Sequence, residues 1–393
     1  MRITICGGGN AAHTLAGLLA ADPANQVRVY TAFEEEAIRW QRGMAEGGIV
    51  VTSRHGQIIS RPELISSDPG QAIPQAELVL LATPAFAHQP VLEKIAPHLG
   101  KGSLIGAMPA RSCFDLCARQ ALGEKFSQMT IFGMQTLPWA CRIVQYGREV
   151  TVLGTKASVA LSVLPARRQA EVVETIARLI GAPVSLTPNF LSLTLAGTGQ
   201  LIHPGVMYGL FHTWDGRPFK SPPLFYQGID NATAKILQGL SDEVQRIRTH
   251  LEERFPGLDL SDVQPLIRWL WLSYRDDIAD CSSLQSSFVS NRSYAGLYAP
   301  VQPVDGGFAP DFNARYLSED VPFGLAATRG VAELCGLETP VIDQVILWAQ
   351  EKLGKEYLRR GRLDGRDVLE TRAPQRYGFT TIQSFIDLYQ SVS

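Results

Sequence analysis

Short runs of apolar and β-branched residues alternate with helix-periodic segments through the first half of the chain. The pattern predicts strands at residues 2–6 and 26–30, with a helix of small and apolar residues at 10–21 between them. Residues 77–82 (ELVLLA) are nearly all apolar, which is typical of a strand buried on both faces of a parallel sheet. Further elements are predicted at 34–43 (helix) and at 103–107, 129–132 and 149–153 (strands). Strands alternating with helices predict βαβ units in a doubly wound α/β sheet.

From about residue 190 the apolar segments become longer and follow helical spacing. Helices are predicted at the segments 233–253, 263–274, 341–353 and 327–335, the last of them ending at Gly336. Residues 181–189 contain a glycine and two prolines, which favours a boundary there. We therefore predict an α/β domain over residues 1–190 and an all-helical domain over residues 191–393.

Composition and charge exclude several classes of protein. The 393 residues carry 36 Lys and Arg against 38 Asp and Glu without a run of five like charges, so no nucleic-acid partner is expected. No apolar run reaches the roughly 18 residues of a membrane-spanning helix. Six cysteines are too few for a disulfide scaffold, and Cys113 and Cys117, one helical turn apart, have no second ligand pair at zinc-site spacing. We expect a soluble cytoplasmic protein with reduced thiols, no metal, and small molecules as partners.

A glycine pattern, G-x-G-x-x-A, lies between the first predicted strand and the first predicted helix. Gly7 lets the chain turn tightly, Gly9 lets the backbone approach a pyrophosphate, and the small Ala12 lets helix and strand pack closely. Asn10 begins the helix whose N-terminus would face the phosphate charge. This context favours a Rossmann-type dinucleotide-binding domain over an ordinary strand–helix turn.

The residues after the second strand bear on the choice of cofactor. An acidic residue is expected at the end of that strand to hold the adenosine ribose, but here the acids come later, as Glu34, Glu35 and Glu36. Three carboxylates near the site would repel a 2′-phosphate, which favours NAD. Arg39 and Arg42 lie close by and leave NADP as the alternative, and a solvated first helical turn is an equally good explanation of the acids.

Thr83 and Pro84 follow the buried strand of residues 77–82. Ligands of open α/β sheets bind outside the carboxyl ends of the strands, so both residues are candidate cofactor neighbours. Pro84 is also a common type of strand terminator.

Two segments of the second half contain candidate acid–base chemistry. His203 lies in the glycine-rich stretch GTGQLIHPG, and an imidazole is the commonest general acid–base in enzymes. The segment RYLSEDVPFG contains Arg315, whose guanidinium could bind a substrate carboxylate, and Asp320, a carboxylate that could orient a histidine. A hydrogen-bonded histidine between domains and a salt-bridged loop are the non-catalytic alternatives.

Five motifs carry a family resemblance: CGGGNAAH, GQLIHPGVM, RWLWLSYRDD, SNRSYAGL and, above all, RYLSEDVPFGL. Through them the chain resembles the opine dehydrogenases, the octopine/nopaline dehydrogenase family. The resemblance extends over nearly the whole length. It implies a nucleotide-binding domain joined to a helical domain. It also implies NADH-dependent reduction of the imine that forms between an amino acid, or a related amine, and a 2-oxo acid, usually pyruvate.

The resemblance also implies roles for individual residues. His203 corresponds to the family's acid–base histidine, and Asp320 to its aspartate partner. Arg315 resembles the arginine that positions a substrate carboxylate, and Trp269 falls in the aromatic helix that lines the amino-substrate side. Cys141, in LPWACRI, lies in a stretch similar to the family's domain interface and is a substrate-binding candidate, with a packing thiol as the equal alternative.

Two other functions remain open at this point. A ketopantoate-reductase or 6-phosphogluconate-type dehydrogenase would share the glycine loop and a helical second domain, but it would use a catalytic lysine and need no amine. A nicotinamide-binding protein without catalytic activity is the second alternative, and the intact set of His203, Arg315 and Asp320 disfavours it.

Overall fold

The computed structural model describes residues 1–45 and 47–390, so the last three residues of the predicted second domain lie outside the described residues. The chain forms two compact units, Met1–Leu193 and Thr194–Gln390 within the described range.

The first unit contains strands and helices in alternation. Its strands are β1 (Arg2–Cys6), β2 (Gln26–Tyr30), β3 (Ile49–Ser53), β4 (Gly56–Ser60), β5 (Leu64–Ser66), β6 (Leu78–Leu81), β7 (Leu104–Ala107), β8 (Thr130–Met134), β9 (Trp139–Gln145), β10 (Glu149–Thr155), β11 (Val159–Leu164) and β12 (Val184–Leu186). Its helices are α1 (Asn10–Leu19), α2 (Glu34–Met44), α3 (Pro69–Ala72), α4 (Ala85–Ile95), α5 (Phe114–Leu122), α6 (Gln169–Ile180) and α7 (Phe190–Leu195), the last of which runs into the second unit.

The main sheet has eight strands in the order β12-β11-β8-β7-β6-β1-β2-β5. Its pairs are parallel except for β11, which runs antiparallel to β8. The predicted doubly wound α/β fold is therefore confirmed. The strand order reverses between β1 and β6, and ligands of such sheets bind at the carboxyl ends on either side of a reversal.

One predicted strand belongs to a different sheet. The segment predicted at 149–153 is β10, but it pairs with β3 and β9 in a separate four-stranded sheet of order β4-β3-β10-β9. This small sheet packs against α1 so closely that a Cβ on Gly17 would lie 2.3 Å from Val51. The prediction of a strand was right, but its placement in the main sheet was wrong. β10 has only one buried face, and an alternating pattern does not show to which sheet such a strand belongs.

The second unit is helical, as predicted. Its helices are α8 (Gly199–Phe211), α9 (Asn231–Arg254), α10 (Leu266–Tyr274), α11 (Leu284–Val289), α12 (Arg315–Ser318), α13 (Ala326–Cys335), α14 (Pro340–Leu353) and α15 (Ile382–Gln390). α13 ends at Gly336, as predicted, and Gly336 adopts the left-handed conformation. A two-stranded ribbon, β13 (Val301–Val304) and β14 (Gly307–Pro310), was not predicted.

A short π-helix, Val321–Leu325, follows α12 and leads into α13. In it the amide of Leu325 donates to the carbonyl of Asp320, five residues earlier. Single-turn π-helices are rare and occur frequently at functional sites.

All six cysteines are free thiols, five of them buried and Cys281 exposed. Cys113 precedes α5 with a φ of 50°, so it is not the helical position predicted for it, since a left-handed residue lies outside the regular helix; Cys117 lies inside α5. Across the described part of the chain, no helix is long and apolar enough to cross a membrane, and no cluster of three or more His, Cys, Asp or Glu side chains is arranged to hold a metal ion.

Candidate active site

The glycine loop connects β1 to α1 with the geometry that dinucleotide binding needs. Gly7 has a φ of 135°, and a Cβ there would lie 2.6 Å from the carbonyl oxygen of Ala82. Gly9 caps α1 with a φ of −91°, and a Cβ there would meet nothing within 4 Å. The fully buried Ala12 packs α1 closely against its neighbours. The backbone at Gly9, where α1 begins, is therefore open to the approach of an anion.

Thr83 lies beside this loop, at the carboxyl end of β6. Its methyl carbon is 3.2 Å from the position that a Cβ on Gly7 would occupy. Among the described residues, its buried hydroxyl has no hydrogen-bond partner. Pro84 then caps the N-terminus of α4. A buried hydroxyl without a partner beside the glycine loop and a helix N-terminus fits a dinucleotide phosphate or ribose.

Asn10 connects the glycine loop to the small sheet. Its side-chain oxygen accepts a hydrogen bond of 2.8 Å from the amide of Ile143, on β9. The carboxamide oxygen is thus engaged within the protein, which leaves the amino group of the side chain for any cofactor contact.

Of the three acids in the first turn of α2, Glu36 approaches the glycine loop. Its carboxylate lies 2.7 Å from the position of a Cβ on Gly8, whereas Glu34 and Glu35 are exposed. Burial raises the pKa of Glu36, and the Arg39 guanidinium opposes that rise. Arg39 itself stacks over the ring of Tyr146 at 3.6 Å. An acid therefore approaches the glycine loop from α2 and not from the end of β2.

His13, to which the sequence assigned no role, is fully buried behind the loop. Its Nδ1 donates to the carbonyl of Gly9 (3.0 Å), and its Nε2 accepts from the amide of Gly147 (2.9 Å). Its ring stacks on Trp40 at 3.7 Å. Burial lowers the pKa of His13 to about 4, although the bond to Gly9 opposes that shift. The ring is therefore neutral, and its hydrogen bond to the Gly9 carbonyl supports the glycine loop.

Cys141 lies on β9, buried at 3% exposure. Burial raises the pKa of its thiol, and the hydrogen bond with Thr14 and the charge of Arg142 oppose this only in part. The thiol is therefore protonated at neutral pH and can act as a weak hydrogen-bonding group rather than as a nucleophile.

In the second unit, His203 and Asp320 form a close pair. His203 lies on α8 and Asp320 directly before the π-helix, and the distance from His203 Nδ1 to Asp320 Oδ2 is 2.8 Å. Asp320 is 1% exposed, so its carboxylate is shielded from water. A buried carboxylate on Nδ1 fixes the neutral ring as the Nδ1–H tautomer and leaves Nε2 able to accept a proton.

Aromatic residues enclose the imidazole. The ring of Tyr316 stacks on His203 with centroids 4.1 Å apart and an interplanar angle of 14°. The hydroxyl of Tyr226 lies 3.5 Å from His203 Nε2. Sequence reasoning gave neither tyrosine a role. Tyr316 could have been noticed as the neighbour of Arg315, but Tyr226 lies among apolar residues and reads as part of the core.

Arg315 begins α12, one turn before Asp320. Its guanidinium forms a short hydrogen bond to the carboxylate of Glu319, which is 1% exposed, while 57% of the Arg315 side chain is exposed. The buried acid holds one edge of the guanidinium and leaves the exposed portion able to bind an anion.

Trp269, on α10, is linked to this group through tyrosines. Its ring centroid is 6.0 Å from that of Tyr274, which is 4.9 Å from Tyr294, and Tyr294 stacks on Tyr226 at 3.9 Å. The second unit thus brings together His203, Asp320 and Arg315 directly, and Trp269 through a chain of rings. In the first unit, the glycine loop and its neighbours contain Gly7, Gly9, Asn10, Ala12, Thr83 and Pro84. Cys141 contacts α1 through Thr14.

Comparison with known proteins gives consistent matches over the whole chain. A family model described as NAD/NADP octopine/nopaline dehydrogenase, alpha-helical domain, matches residues 186–353, and one described as ketopantoate reductase PanE/ApbA matches residues 3–108. The octopine dehydrogenase of Mizuhopecten yessoensis is 43% identical over 98% of both chains. The tauropine dehydrogenase of Arabella iricolor is 38% identical over 98% of this chain and 99% of its own.

Solved structures agree with these relatives. An octopine dehydrogenase with NADH and L-arginine has a TM-score of 0.91 and 40% identity, covering 98% of this chain and 97% of that chain. One with NADH and pyruvate has a TM-score of 0.89 and 39% identity, covering 98% of each. A yersinopine dehydrogenase, 14% identical with a TM-score of 0.67 over 90% of this chain and 91% of its own, shares the fold. The chain belongs to the opine dehydrogenase family.

Proposed function

We propose that the chain catalyses the reversible, NADH-dependent reductive condensation of an amino acid, or a related amine, with a 2-oxo acid, pyruvate, to give a secondary-amine dicarboxylic acid. The observation that carries the proposal is the contact of His203 with the buried carboxylate of Asp320, with Arg315 one turn away. Relatives named octopine and tauropine dehydrogenase, and solved relatives holding NADH, arginine and pyruvate, support it.

In this proposal residues 1–190 bind the cofactor and residues 191–393 supply the acid–base chemistry. Gly7, Gly9, Asn10, Ala12, Thr83 and Pro84 would hold NADH. When bound, NADH supplies the hydride that reduces the imine carbon. Glu36, close to the glycine loop, favours NADH over NADPH because a carboxylate repels a 2′-phosphate. The cytoplasmic location stays a prediction that rests on the low cysteine content.

The chain's own residues would move protons in two steps. As the amine nitrogen attacks the carbonyl carbon of the 2-oxo acid, Nε2 of His203 takes the proton that the nitrogen loses. The imidazolium gives that proton to the former carbonyl oxygen, which becomes the hydroxyl of a carbinolamine. After it is reprotonated from solvent, the imidazolium donates a second proton to this hydroxyl, which leaves as water as the protonated imine forms. Asp320 stabilises the imidazolium through Nδ1. Arg315 binds a substrate carboxylate, and the weakly polar side chains of Trp269 and Cys141 contact the substrates.

The test is NADH consumption, followed by absorbance, with pyruvate and a panel of amines, each omitted in turn. Because the relatives' names imply different amines, the panel contains arginine, alanine, glycine, β-alanine and taurine. Oxidation that needs both pyruvate and one amine supports the proposal and identifies the amino substrate. Oxidation with an oxo acid alone would favour a simple 2-oxo-acid reductase, and NADH binding without turnover would favour a binding protein.

Replacing His203 tests the proposed acid–base step. His203→Ala should lower kcat/KM at least about 100-fold, because general acid–base catalysis contributes that much or more. The matched control is His212→Ala, because His212 is an exposed histidine one residue after α8 that stacks on Tyr208. NADH affinity should be unchanged in both variants. Near wild-type activity of His203→Ala would remove His203 from the mechanism.

A further inference from the structure

The imidazole of His203 has a second polar neighbour besides Asp320. Asp320 contacts Nδ1 at 2.8 Å, and the hydroxyl of Tyr226 lies 3.5 Å from Nε2, on the opposite side of the ring. Hydrogen bonds of catalytic groups are often long in substrate-free enzymes and shorten when the substrate binds. The atom that must exchange protons with the substrate therefore already faces a hydroxyl.

The position of Tyr226 is held by packing. The residue is 8% exposed, and its ring stacks on Tyr294 (3.9 Å, 14°) and lies parallel to Phe288 at 6.1 Å. Burial raises the pKa of Tyr226, so its side chain stays a neutral phenol. Within the described residues, His203 Nε2 is the hydrogen-bond partner of the Tyr226 hydroxyl. A buried hydroxyl whose partner is an imine-type nitrogen donates its proton to that nitrogen.

We infer that Tyr226 is a positioning residue, whose hydroxyl donates to Nε2 of His203 and, together with Asp320 on Nδ1, sets the ring plane and the Nδ1–H tautomer before the substrate enters. The inference rests on the proposed function only in that His203 is the acid–base group. The two contacts specify the same tautomer from opposite sides, because Asp320 accepts a hydrogen bond from Nδ1–H and Tyr226 donates a hydrogen bond to Nε2.

The arrangement has a consequence for protonation. A donor on Nε2 stabilises the neutral ring, and it has to be displaced when Nε2 takes a proton from the substrate. Tyr226→Phe leaves the other titratable or charged groups near this contact unchanged: Asp320, Tyr316, Arg315 and Glu319 on the His203 side, and Tyr274 and Tyr294 behind Tyr226. Removing the Tyr226 hydroxyl alone should therefore raise the pKa of His203.

The experiment compares Tyr226→Phe with Tyr294→Phe. Both remove one hydroxyl from the same stack, but only Tyr226 contacts His203. The pKa and tautomer of His203 are read by NMR in histidine-labelled protein, with the signal assigned by its loss in His203→Asn. Tyr226→Phe should raise the pKa of His203 by about half a pH unit, the value expected for one long hydrogen bond. Tyr294→Phe should leave it unchanged.

A second variant keeps the test independent of folding defects. Site-specific 3-fluorotyrosine at position 226 makes the hydroxyl more acidic and a stronger donor, so the pKa of His203 should fall while the packing is kept. The pH profile of kcat/KM should move in the same direction as the NMR value in each variant.

The inference is overturned if Tyr226→Phe leaves the pKa of His203 unchanged or lowers it, or if Tyr294→Phe shifts it equally, since packing alone would then explain the effect. The NMR measurement needs no substrate. If the wild-type protein failed to consume NADH with pyruvate and any amine, the proposed function would fail while the NMR shift still decided the role of Tyr226.

Discussion

His203 and Asp320 are 117 positions apart in the chain, yet their side chains meet at 2.8 Å. Two irregularities lie at the meeting point. Helix α8 contains Pro204 directly after the histidine, and the π-helix begins directly after the aspartate. Both features interrupt the regular helical hydrogen-bond pattern next to a proposed catalytic side chain, which is where backbone irregularity is most often retained.

Asp320→Asn should lower kcat much more than it changes NADH affinity. An amide can donate to Nδ1, which favours the wrong tautomer and places the proton on Nε2, where the substrate's proton has to go. We expect a loss of at least about 100-fold in kcat. Steady-state kinetics with a parallel NADH titration by fluorescence checks this. A variant within threefold of wild type would show that Asp320 does not set the tautomer.

The sequence predicted this pair only through the family resemblance. Composition and spacing marked His203 and Asp320 as candidates, but nothing local shows that α8 and the segment after α12 meet, because that contact depends on tertiary packing. The main sheet was better predicted, since continuous apolar runs such as β6 have few alternatives. Strands with one buried face were harder, and β3 and β9 went unnoticed for that reason; β4, exposed at four of its five positions, gives even less of a pattern.

The aromatic residues around His203 show a second limit of prediction from the sequence. Tyr226 places its hydroxyl beside His203 and Tyr294 stacks on Tyr226, but the sequence contexts of both are those of ordinary core residues. Glu36 was anticipated only as one of three acids, and its approach to Gly8 depends on the angle at which α2 leaves β2. Side-chain direction of this kind is not encoded in a short pattern.

Arg315→Lys should raise KM for the 2-oxo acid about tenfold and affect kcat less. A lysine keeps the charge but loses the planar fork that binds a carboxylate with two hydrogen bonds while a second edge stays on Glu319. The control is Arg292→Lys, an exposed arginine paired with Asp277. Equal KM values in wild type and Arg315→Lys would contradict a carboxylate-binding role.

His13 should make the stability of the protein depend on pH in mildly acidic solution. Its pKa is about 4 in the folded protein, below the usual value near 6.5 of the unfolded chain. The unfolded state therefore binds more protons between these values, and the stabilisation present above pH 6.5 is lost as the pH falls toward 4. The loss amounts to about 3 kcal/mol.

The measurement is the free energy of unfolding in denaturant from neutral pH down to the acid range, for wild type and His13→Phe. The variant keeps a ring to stack on Trp40 but cannot titrate. It should be less stable than wild type at neutral pH, because the Gly147 amide loses its acceptor, and the difference should shrink in acid. If the free energy of unfolding fell by the same amount in both proteins as the pH is lowered, another group would cause the acid sensitivity.

Glu36→Gln should shift cofactor preference toward NADPH. Removing the charge close to Gly8 removes its repulsion of a 2′-phosphate, so the ratio of the Kd for NADPH to that for NADH should fall about tenfold. Glu34→Gln is the matched control, because Glu34 lies in the same helical turn but is exposed. Fluorescence titration with both nucleotides gives the ratio without any turnover. A change of the same size in both variants would point to general charge rather than to Glu36.

Gly9→Ala should separate cofactor binding from folding. A Cβ at Gly9 meets no atom within 4 Å, and its φ of −91° suits alanine, so the free energy of unfolding should change by no more than about 1 kcal/mol. The same methyl group would occupy the space through which a pyrophosphate approaches the backbone, and the Kd for NADH should rise at least about tenfold. Gly7→Ala is the opposite case. Its φ of 135° and the Ala82 carbonyl at 2.6 Å should lower the free energy of unfolding by about 2 kcal/mol or more. If Gly9→Ala bound NADH as tightly as wild type, the pyrophosphate would have to bind elsewhere than at the N-terminus of α1.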